Sequence, residues 1–298
     1  MRARLAYALY AAAWAVVRRL PEGMAYALFT RVADVAVRRD GRSVRQLRAN
    51  LARACPDVPS AELQRLTREG MRSYLRYWCD TFRLPDWDHT RTVGTVRVEG
   101  EHHLRDNVGT GRPGVVAALM HMGNWDHAGA WAALTGAPVV TVAEVLEPRR
   151  LFERFLAYRT ALGIEVLPLH GKGSDLLGTL ARRLREGRLV PLLADRDLRS
   201  TGIPVSLLGA PASLPPGPAI LALQTGAPLH PVSIWHEDGP PARPRTLVIH
   251  FHDPVAVPAS GQTRERVAAM TQAVADVFGE SIRAHPTDWH MLQRVWTE

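Results

Sequence analysis

The pattern after Leu84 constrains the fold most, because short β-rich apolar runs alternate there with segments of helical periodicity. Strands separated by helices predict βα units, in which helices cover the faces of a sheet. We therefore predict an α/β fold with a central mixed sheet flanked by helices. The predicted strands are Thr95–Val98, Gly114–Leu119, Val139–Val142, Glu165–Leu167, Leu189–Ala194, Leu229–Trp235 and Thr246–Phe251. The predicted helices are Asn124–Leu134, Arg149–Leu162, Ser174–Glu186, Gly217–Thr225 and Arg264–Ala284.

The chain before this alternation is predicted to be helical. Residues 43–83 carry helical periodicity, and Pro85 ends this part. Because the predicted connections are short, we expect one domain over residues 1–298, with a helical lobe at 1–84 and an α/β core at 85–298. Prolines are typical of loops, and the loops predicted from them contain Pro211, Pro215, Pro216, Pro218 and the segment 239–244.

The positive charge of the chain lies in its N-terminal third. The first 98 residues hold 18 arginines and nine acidic residues, a net charge of +9. The remaining residues hold 19 basic and 20 acidic residues, a net charge of −1. Such an asymmetry is typical of proteins that bind nucleic acid or an anionic membrane.

The first twenty residues favour the membrane. An apolar run of 13 residues, Leu5 to Val17, is bracketed by arginines and is too short to span a bilayer, which needs about 20 residues. We predict an interfacial helix, with Trp14 and Val17 among the residues entering the apolar boundary and the arginines on anionic headgroups of the cytoplasmic face. The alternative is a core helix capped by surface arginines. Nucleic acid is not an expected partner, because aromatic residues do not interleave the basic ones in the usual way.

The motif His121-Met122-Gly123-Asn124-Trp125-Asp126 is the clearest candidate for chemistry. It follows an apolar strand and opens a predicted helix, and α/β proteins place ligands at the carboxyl ends of their strands. A histidine oriented by a carboxylate is the usual base for activating a hydroxyl. The amides of Gly123 and Asn124, at a helix N-terminus, are predicted to hold an oxyanion.

The motif contains no serine or cysteine, and the chain has no G-x-S-x-G sequence. A covalent Ser-His-Asp mechanism is therefore not expected, and His121 would act directly on a substrate hydroxyl. The alternative is that His121 is a buried structural histidine and Asp126 an acid at a helix start. A metal site is not predicted, since His250, His252 and Asp253 lack a further ligand and the two cysteines match no zinc spacing.

Six segments in matching order resemble the bacterial lipid A lauroyl acyltransferase group of the lysophospholipid acyltransferase superfamily, and within it the phosphatidylinositol mannoside acyltransferases of actinobacteria. The resemblance covers nearly the whole chain. Its segments are 76–78 with 82–85 (RYW and FRLP), 121–126 (HMGNWD), 158–159 with 162–169 (YR and LGIEVLPL), 194–198 (ADRDL), 215–219 (PPGPA) and 288–293 (DWHMLQ).

This resemblance implies an acyl-CoA donor, no resident cofactor and a mannosylated phosphatidylinositol acceptor. It further implies transfer of a fatty acyl group, expected to be palmitoyl, to a mannose 6-hydroxyl by a peripheral protein at the inner face of the plasma membrane. His121 matches the catalytic histidine, Asp126 the aspartate of its motif and Arg159 an arginine lining the site. Asp195 stands where relatives carry Glu as the partner of the histidine, a departure that shortens its reach by one methylene.

Three questions stay open at the level of sequence. Either Asp126 or Asp195 orients His121. Arg196 either contacts substrate or pairs with Asp195 and Asp197. The family also includes lipid A-type enzymes that use acyl carrier protein, and a non-catalytic lipid-binding relative with the same fold is a further alternative.

Overall fold

The structure is a computed structural model, and it describes residues 14–144, 153, 156, 157, 159–169, 176–197, 201–238 and 245–297. Nine strands are placed in these ranges: β1 Val96–Glu99, β2 Val115–Leu119, β3 Val140–Glu144, β4 Glu165–Leu169, β5 Leu189–Leu193, β6 Ile203–Leu207, β7 Ala210–Leu214, β8 Leu229–Glu237 and β9 Thr246–Phe251. The helices named below are α1 Glu22–Arg39, α2 Arg42–Ala54, α3 Ser60–Arg83, α4 His89–Gly94, α5 Glu101–Arg105, α6 Trp125–Leu134, α7 Leu176–Arg185, α8 Gly217–Thr225 and α9 Thr263–Ala284.

The central sheet has the strand order β1-β9-β8-β2-β5. It is mixed, because β8 and β9 are antiparallel while β1–β9, β8–β2 and β2–β5 are parallel. A parallel pair, β3–β4, adjoins the β5 edge, where the amide of Leu189 donates to the carbonyl of Pro138 at 3.0 Å. The predicted mixed sheet flanked by helices is confirmed.

The central strand of the sheet is buried on both faces. All five residues of β2 are buried, as expected for a central parallel strand between helical layers. One hydrophobic core contains Phe278 and Met270 of α9, and a second contains Trp131 of α6 together with Phe251. The core therefore fixes α6 and α9 on the sheet that carries the site.

The loop predicted at Pro211 is wrong, whereas the predicted helix Gly217–Thr225, which contains Pro218, is confirmed. Pro211 lies in β7, which forms an antiparallel hairpin with β6, and Pro218 lies in the first turn of α8. Proline is tolerated at both positions. At the hairpin edge Pro211 only accepts a hydrogen bond, from the amide of Thr297, and the first helical turn has no intrahelical use for its N–H groups.

The helical N-terminal lobe consists of α1, α2 and α3, which is the predicted helical character. Its core holds Leu47 and Leu51 of α2 against Met71 of α3. The lobe is joined to the α/β core by Asn50, whose side-chain amide donates to the carbonyls of Met291 and Gln293, both at 2.8 Å.

The predicted interfacial helix lies mostly outside the described residues, which begin at residue 14. Its last part is helical over residues 14–19, but Trp14 and Val17 are buried rather than exposed. Trp14 donates its indole N–H to the carbonyl of Phe82 at 2.9 Å. These two residues therefore pack into the lobe, and the prediction that they enter a lipid boundary is wrong.

Helix α1 instead carries exposed apolar side chains. Met24, Leu28, Val32 and Val35 are 59%, 43%, 49% and 40% exposed, and their spacing places them on one face. We call these four residues the apolar stripe. Among the described helices, none combines the length and apolar character needed to cross a bilayer.

Half of the predicted helix over 149–162 lies outside the described residues, and residues 153, 156, 157 and 159–161 within it are helical. Arg149, Arg150, Ser174 and Arg199 also lie outside them. The helix at Asn124–Leu134 is confirmed, with Asn124 as its N-cap residue.

Candidate active site

The site forms where two adjacent parallel strands end. Strands β2 and β5 are paired with Leu119 opposite Leu193, and the amide of Ala194 donates to the carbonyl of Leu119 at 2.8 Å. The chain leaves both strands at the same edge of the sheet, so His121 and Asp195 emerge side by side. This edge is where α/β folds place their ligands.

Asp195 holds His121 by two contacts. The ring Nδ1 of His121 lies 2.7 Å from Oδ1 of Asp195, and the backbone N–H of His121 donates to Oδ2 at 2.9 Å. Of the two carboxylates left open by the sequence, Asp195 is therefore the partner of His121. The shorter side chain reaches because the two strand ends are neighbours in the sheet.

The carboxylate of Asp195 is fully buried. Burial alone would favour its neutral form, but the charge and hydrogen bonds of His121, with a hydrogen bond from Trp289, outweigh burial and hold the pKa of Asp195 below its usual value. Because an ionised carboxylate only accepts hydrogen bonds, Nδ1 of His121 carries the proton of the 2.7 Å contact. The other ring nitrogen, Nε2, is left to accept a proton.

The segment 288–290 clamps both site residues. Trp289 donates its indole N–H to Oδ2 of Asp195 at 3.1 Å and pairs with Met122 as an isolated antiparallel bridge. The amide of His290 donates to the carbonyl of His121 at 2.7 Å. Sequence reasoning missed the role of Trp289, although this residue stands in one of the six segments of the resemblance.

His290 is buried beside Tyr77 and Trp125, and its Nε2 lies 2.9 Å from the hydroxyl of Ser73. Burial lowers the pKa of His290 to about 3, so its ring is neutral at pH 7. Ser73 in turn donates to Asp288 at 2.7 Å. His290 therefore packs against Tyr77 and Trp125 as a neutral ring that hydrogen-bonds Ser73.

The amide of Gly123 does not take the predicted place. The amide of Gly123 donates to the carbonyl of Asp288 at 2.9 Å, so it is not free for an oxyanion. Gly123 has φ +59°, and a Cβ there would lie 2.5 Å from the carbonyl oxygen of Ile234. The side-chain oxygen of buried Asn124 accepts the amide of His127 at 2.9 Å. Both residues shape the turn, and neither lines the chamber described below.

Asp126 belongs to a different pair. It accepts Nε–H of Arg159 at 2.9 Å and the hydroxyl of Tyr77 at 3.0 Å. Tyr77 is buried and stacks on Trp125, with ring centroids 4.2 Å apart. Burial, with the neighbouring charge of Asp126, raises the pKa of Tyr77 well above its usual value. Asp126 therefore fixes the Arg159 guanidinium rather than the His121 imidazole.

A cavity of about 240 Å³ opens beside His121, and we call it the chamber. Its polar lining includes His121, Asp126, Arg159 and Arg196, which brings four predicted site residues to one chamber. The remaining lining is mainly apolar and comes from the sheet and α6, including Ala117, Leu119, Ala128, Gly129, Trp131, Ile164, Val232, Ile249 and Phe251. An apolar space of this kind suits a hydrocarbon chain.

Arg196 follows Asp195 directly and lines the same chamber. Its Nε–H is buried and has no hydrogen-bond partner in the part of the chain that the structure describes. A buried donor without a partner costs free energy, so a substrate anion or carbonyl oxygen is a natural acceptor for it. The predicted pairing of Arg196 with Asp195 is not among the contacts of that carboxylate.

A histidine held by a buried carboxylate, beside an apolar chamber that is also lined by two guanidinium groups, is an arrangement suited to an α/β enzyme of the acyltransferase class. The sequence comparisons give the family. The sequence model of the family described as bacterial lipid A biosynthesis acyltransferase matches residues 2–298, so the chain belongs to this family.

Curated relatives are also similar over most of their length. The chain is 42% identical over 288 residues to the phosphatidylinositol mannoside acyltransferase of Mycolicibacterium smegmatis, which covers 96% of this chain and 90% of that relative. It is 42% identical over 289 residues to the protein of the same name from Mycobacterium tuberculosis, covering 96% of this chain and 87% of the relative.

Proposed function

We propose that this protein transfers a fatty acyl group, palmitoyl in the first instance, from acyl-CoA to the 6-hydroxyl of a mannose on a phosphatidylinositol mannoside. The observation that carries the proposal is the pairing of His121 with the buried Asp195 at the chamber, which we call the acyl chamber from here on. The names of the relatives support the choice of acceptor.

His121 acts as general base in this proposal. Its Nε2 takes the proton of the mannose hydroxyl while the oxygen attacks the thioester carbonyl, and ionised Asp195 stabilises the imidazolium that forms. The tetrahedral intermediate collapses with cleavage of the C–S bond. The products are the ester and CoA, whose thiolate takes up the proton from His121 or leaves without it.

The negative charge of the tetrahedral intermediate needs donors other than the Gly123 amide, which is already engaged. Arg196 is our candidate, because its buried Nε–H is without a partner in the described ranges and its side chain lines the chamber with His121. A guanidinium group in a site that excludes water stabilises a developing oxyanion strongly. Arg159, held by Asp126, lies in the same lining and would contact the acyl donor.

The apolar lining of the chamber would hold the acyl chain. Two small residues on α6, Ala128 and Gly129, line this space together with Ile249 and Phe251 of β9. Their small side chains leave room for a linear hydrocarbon chain. Filling it with hydrocarbon removes apolar surface from water, which stabilises the bound donor by about 25 cal/mol per Å² buried.

The membrane location proposed for this protein is peripheral, at the cytoplasmic face of the plasma membrane. The apolar stripe on α1 supports it, because four exposed apolar side chains on one helix face are typical of a surface that enters a lipid interface. The net charge of +9 over the first 98 residues favours anionic headgroups.

The test follows CoA release from palmitoyl-CoA by purified protein, with and without a phosphatidylinositol mannoside. We expect acceptor-dependent release by wild type and by His89→Ala, a control at an exposed histidine, and its loss in His121→Ala. Acceptor-independent release would indicate a thioesterase. Release only when palmitoyl acyl carrier protein replaces palmitoyl-CoA would assign the other donor, and no turnover with either donor would favour a lipid-binding protein.

A further inference from the structure

A second cavity, of about 650 Å³, lies between α1, α3 and the segment that follows α9. It shares no lining residue with the acyl chamber. Its lining is mainly polar and includes four arginines, Arg65, Arg72, Arg76 and Arg245. Its size is that of a cavity for a small ligand, and its polarity excludes an acyl chain as the occupant.

Three of these four guanidinium groups are hydrogen-bonded within the protein. Arg72 donates from Nε and a terminal nitrogen to the two carboxylate oxygens of Asp34, both at 2.9 Å. Arg65 holds Glu62, at 2.7 and 2.9 Å. Arg245 donates to Asp238 at 2.5 Å. These two bidentate pairs and the single Arg245–Asp238 hydrogen bond hold three of the lining arginines in place.

Arg76 is different. Its guanidinium carbon lies 3.7 Å from the ring centroid of Tyr26, so the planar group is held by stacking. The nearest carboxylate oxygen, on Asp80, is 3.5 Å from Nε, and Nε makes no hydrogen bond among the described residues. The unpartnered Nε–H of Arg76 is buried beside Asp80, whereas the stacked guanidinium group lines the cavity as an oriented cation, which suits recognition of a phosphate.

The surroundings of Arg76 suit hydroxyl groups as well. Glu69, Thr30 and His285 also line the cavity. Burial lowers the pKa of His285, so its neutral ring offers an acceptor nitrogen at pH 7. Carboxylate, hydroxyl and imidazole groups therefore line the cavity together with guanidinium groups. This mixture matches the many donors and acceptors of a polyol.

The position of the cavity relates it to the membrane. Helix α1 contributes Tyr26, Phe29 and Thr30 to the lining, while the apolar stripe lies on another face of the same helix. An α-helix with its side chains is about 10 Å across. The cavity therefore lies about one helix diameter from the face proposed to enter the lipid, which is within reach of a large headgroup.

We propose that this cavity binds the phosphorylated polyol headgroup of an anionic membrane lipid, with the phosphate on Arg76 and ring hydroxyls on Glu69 and His285. This proposal rests on the proposed function in one respect, namely that the substrate of the protein is a membrane lipid. The back wall includes Ser73 and Asp288, which contact His290 and Gly123 respectively. A headgroup bound there lies directly behind the segment that clamps His121.

The test measures binding of the full chain to phosphatidylcholine vesicles. One set of vesicles contains a minor fraction of phosphatidylinositol, and the other contains the same fraction of phosphatidylglycerol. These two lipids carry the same charge, so a difference reports the polyol. We expect wild type to prefer phosphatidylinositol, and Arg76→Gln to lose about tenfold in affinity for those vesicles alone. Arg68→Gln, on the same helix but outside the cavity, is the matched control and should keep the preference.

Arg76→Lys keeps the positive charge beside Asp80. It therefore separates a loss of recognition from a folding defect in Arg76→Gln. Because an ammonium lacks the planar fork, this variant should fold and still lose the preference. Equal losses on both vesicles, or no loss on either, would overturn the proposal. Soluble glycerophosphoinositol should displace the protein from phosphatidylinositol vesicles where inorganic phosphate at the same concentration does not. Equal displacement by both would overturn the polyol assignment.

The two proposals fail separately. His121→Ala should keep the phosphatidylinositol preference while losing turnover. A preference that depends on Arg76 in a protein without acyl transfer would uphold the cavity and reject the proposed function. Acyl transfer by a protein without the preference for phosphatidylinositol would uphold the proposed function and reject the cavity as a headgroup site.

Discussion

Trp289 donates its indole N–H to the same carboxylate oxygen of Asp195 that accepts the backbone N–H of His121, at 3.1 Å and 2.9 Å. The other oxygen of Asp195 holds the His121 ring at 2.7 Å. The carboxylate is thus fixed by a residue 94 positions further along the chain, and the orientation of His121 depends on the docking of the C-terminal segment.

Trp289→Phe should remove this hydrogen bond and keep most of the packing. Because the Trp289 N–H helps to lower the pKa of Asp195, its loss raises that pKa, and the acid limb of the pH dependence of kcat/KM moves to higher pH. We also expect kcat to fall about tenfold, equivalent to the ~1.4 kcal/mol of one hydrogen bond to a charged group.

Trp296→Phe is the matched control for this variant. The indole N–H of Trp296 donates to the carbonyl of Leu207 at 3.0 Å, away from Asp195, while its ring packs edge-on against that of Trp289. Both variants lose one buried hydrogen bond and a similar stability, but only Trp289→Phe should move the pH profile. An unchanged profile in Trp289→Phe would show that Trp289 merely packs.

Substitutions of Asp195 and Asp126 should change different kinetic constants. In Asp195→Asn the amide no longer holds the imidazole in the required tautomer, so we expect kcat to fall by about 10³-fold or more. Asp126→Asn should mainly raise KM for acyl-CoA, because Asp126 positions Arg159. Steady-state kinetics of both variants check this. A larger fall of kcat in Asp126→Asn than in Asp195→Asn would contradict the assignment.

Gly129→Val should narrow the acyl chamber. A Cβ at this position already lies 3.1 Å from Cδ1 of Ile164, so the larger side chain projects into the space for the acyl chain. We expect kcat/KM for palmitoyl-CoA to fall at least tenfold more than that for octanoyl-CoA. Gly94→Val, at an exposed glycine with open space around it, should leave the ratio of the two donors unchanged.

The double variant Leu28→Gln with Val32→Gln should weaken partition onto anionic vesicles about tenfold, because it removes apolar surface from the stripe. Co-sedimentation with vesicles measures this. Leu177→Gln with Val257→Gln replaces two comparably exposed apolar residues elsewhere, at 40% and 50% exposure, and should bind as wild type. Equal effects of the two double variants would exclude the stripe as the membrane face.

His290 should make the protein less stable in acid. Its folded pKa of about 3 lies below the usual 6.5, so between these values only the unfolded chain takes up this proton. The free energy of unfolding therefore falls as pH drops through that window. Buried His127, with a pKa of about 4, adds in the same direction.

His290→Gln should make this slope shallower by about 1.4 kcal/mol per pH unit, the contribution of one proton. Urea unfolding at several pH values between 4 and 6 measures the slope. His89→Gln, on the surface, should leave it as in wild type. An unchanged slope in His290→Gln would mean that the His290 ring titrates alike in the folded and unfolded chains.

Much of the fold was predictable because its signals are local. Strand β2 is a run of five apolar residues, and α9 carries a long helical periodicity, so each can be predicted from its own segment. The β6–β7 hairpin was missed because Pro211 is a loop signal in sequence, while a two-stranded edge tolerates it. Trp14 was misplaced because an apolar residue near arginines suits a membrane and a lobe core equally.

The sequence by itself determined the alternation of elements, the HMGNWD motif and its place after a strand, since these follow from residues close together in the chain. The partner of His121 was decided only by the tertiary structure. Asp126 is five positions away in sequence but faces Arg159, whereas Asp195 lies 74 residues further on and hydrogen-bonds the ring. The reason is the pairing of β2 with β5, which sets two distant strand ends side by side.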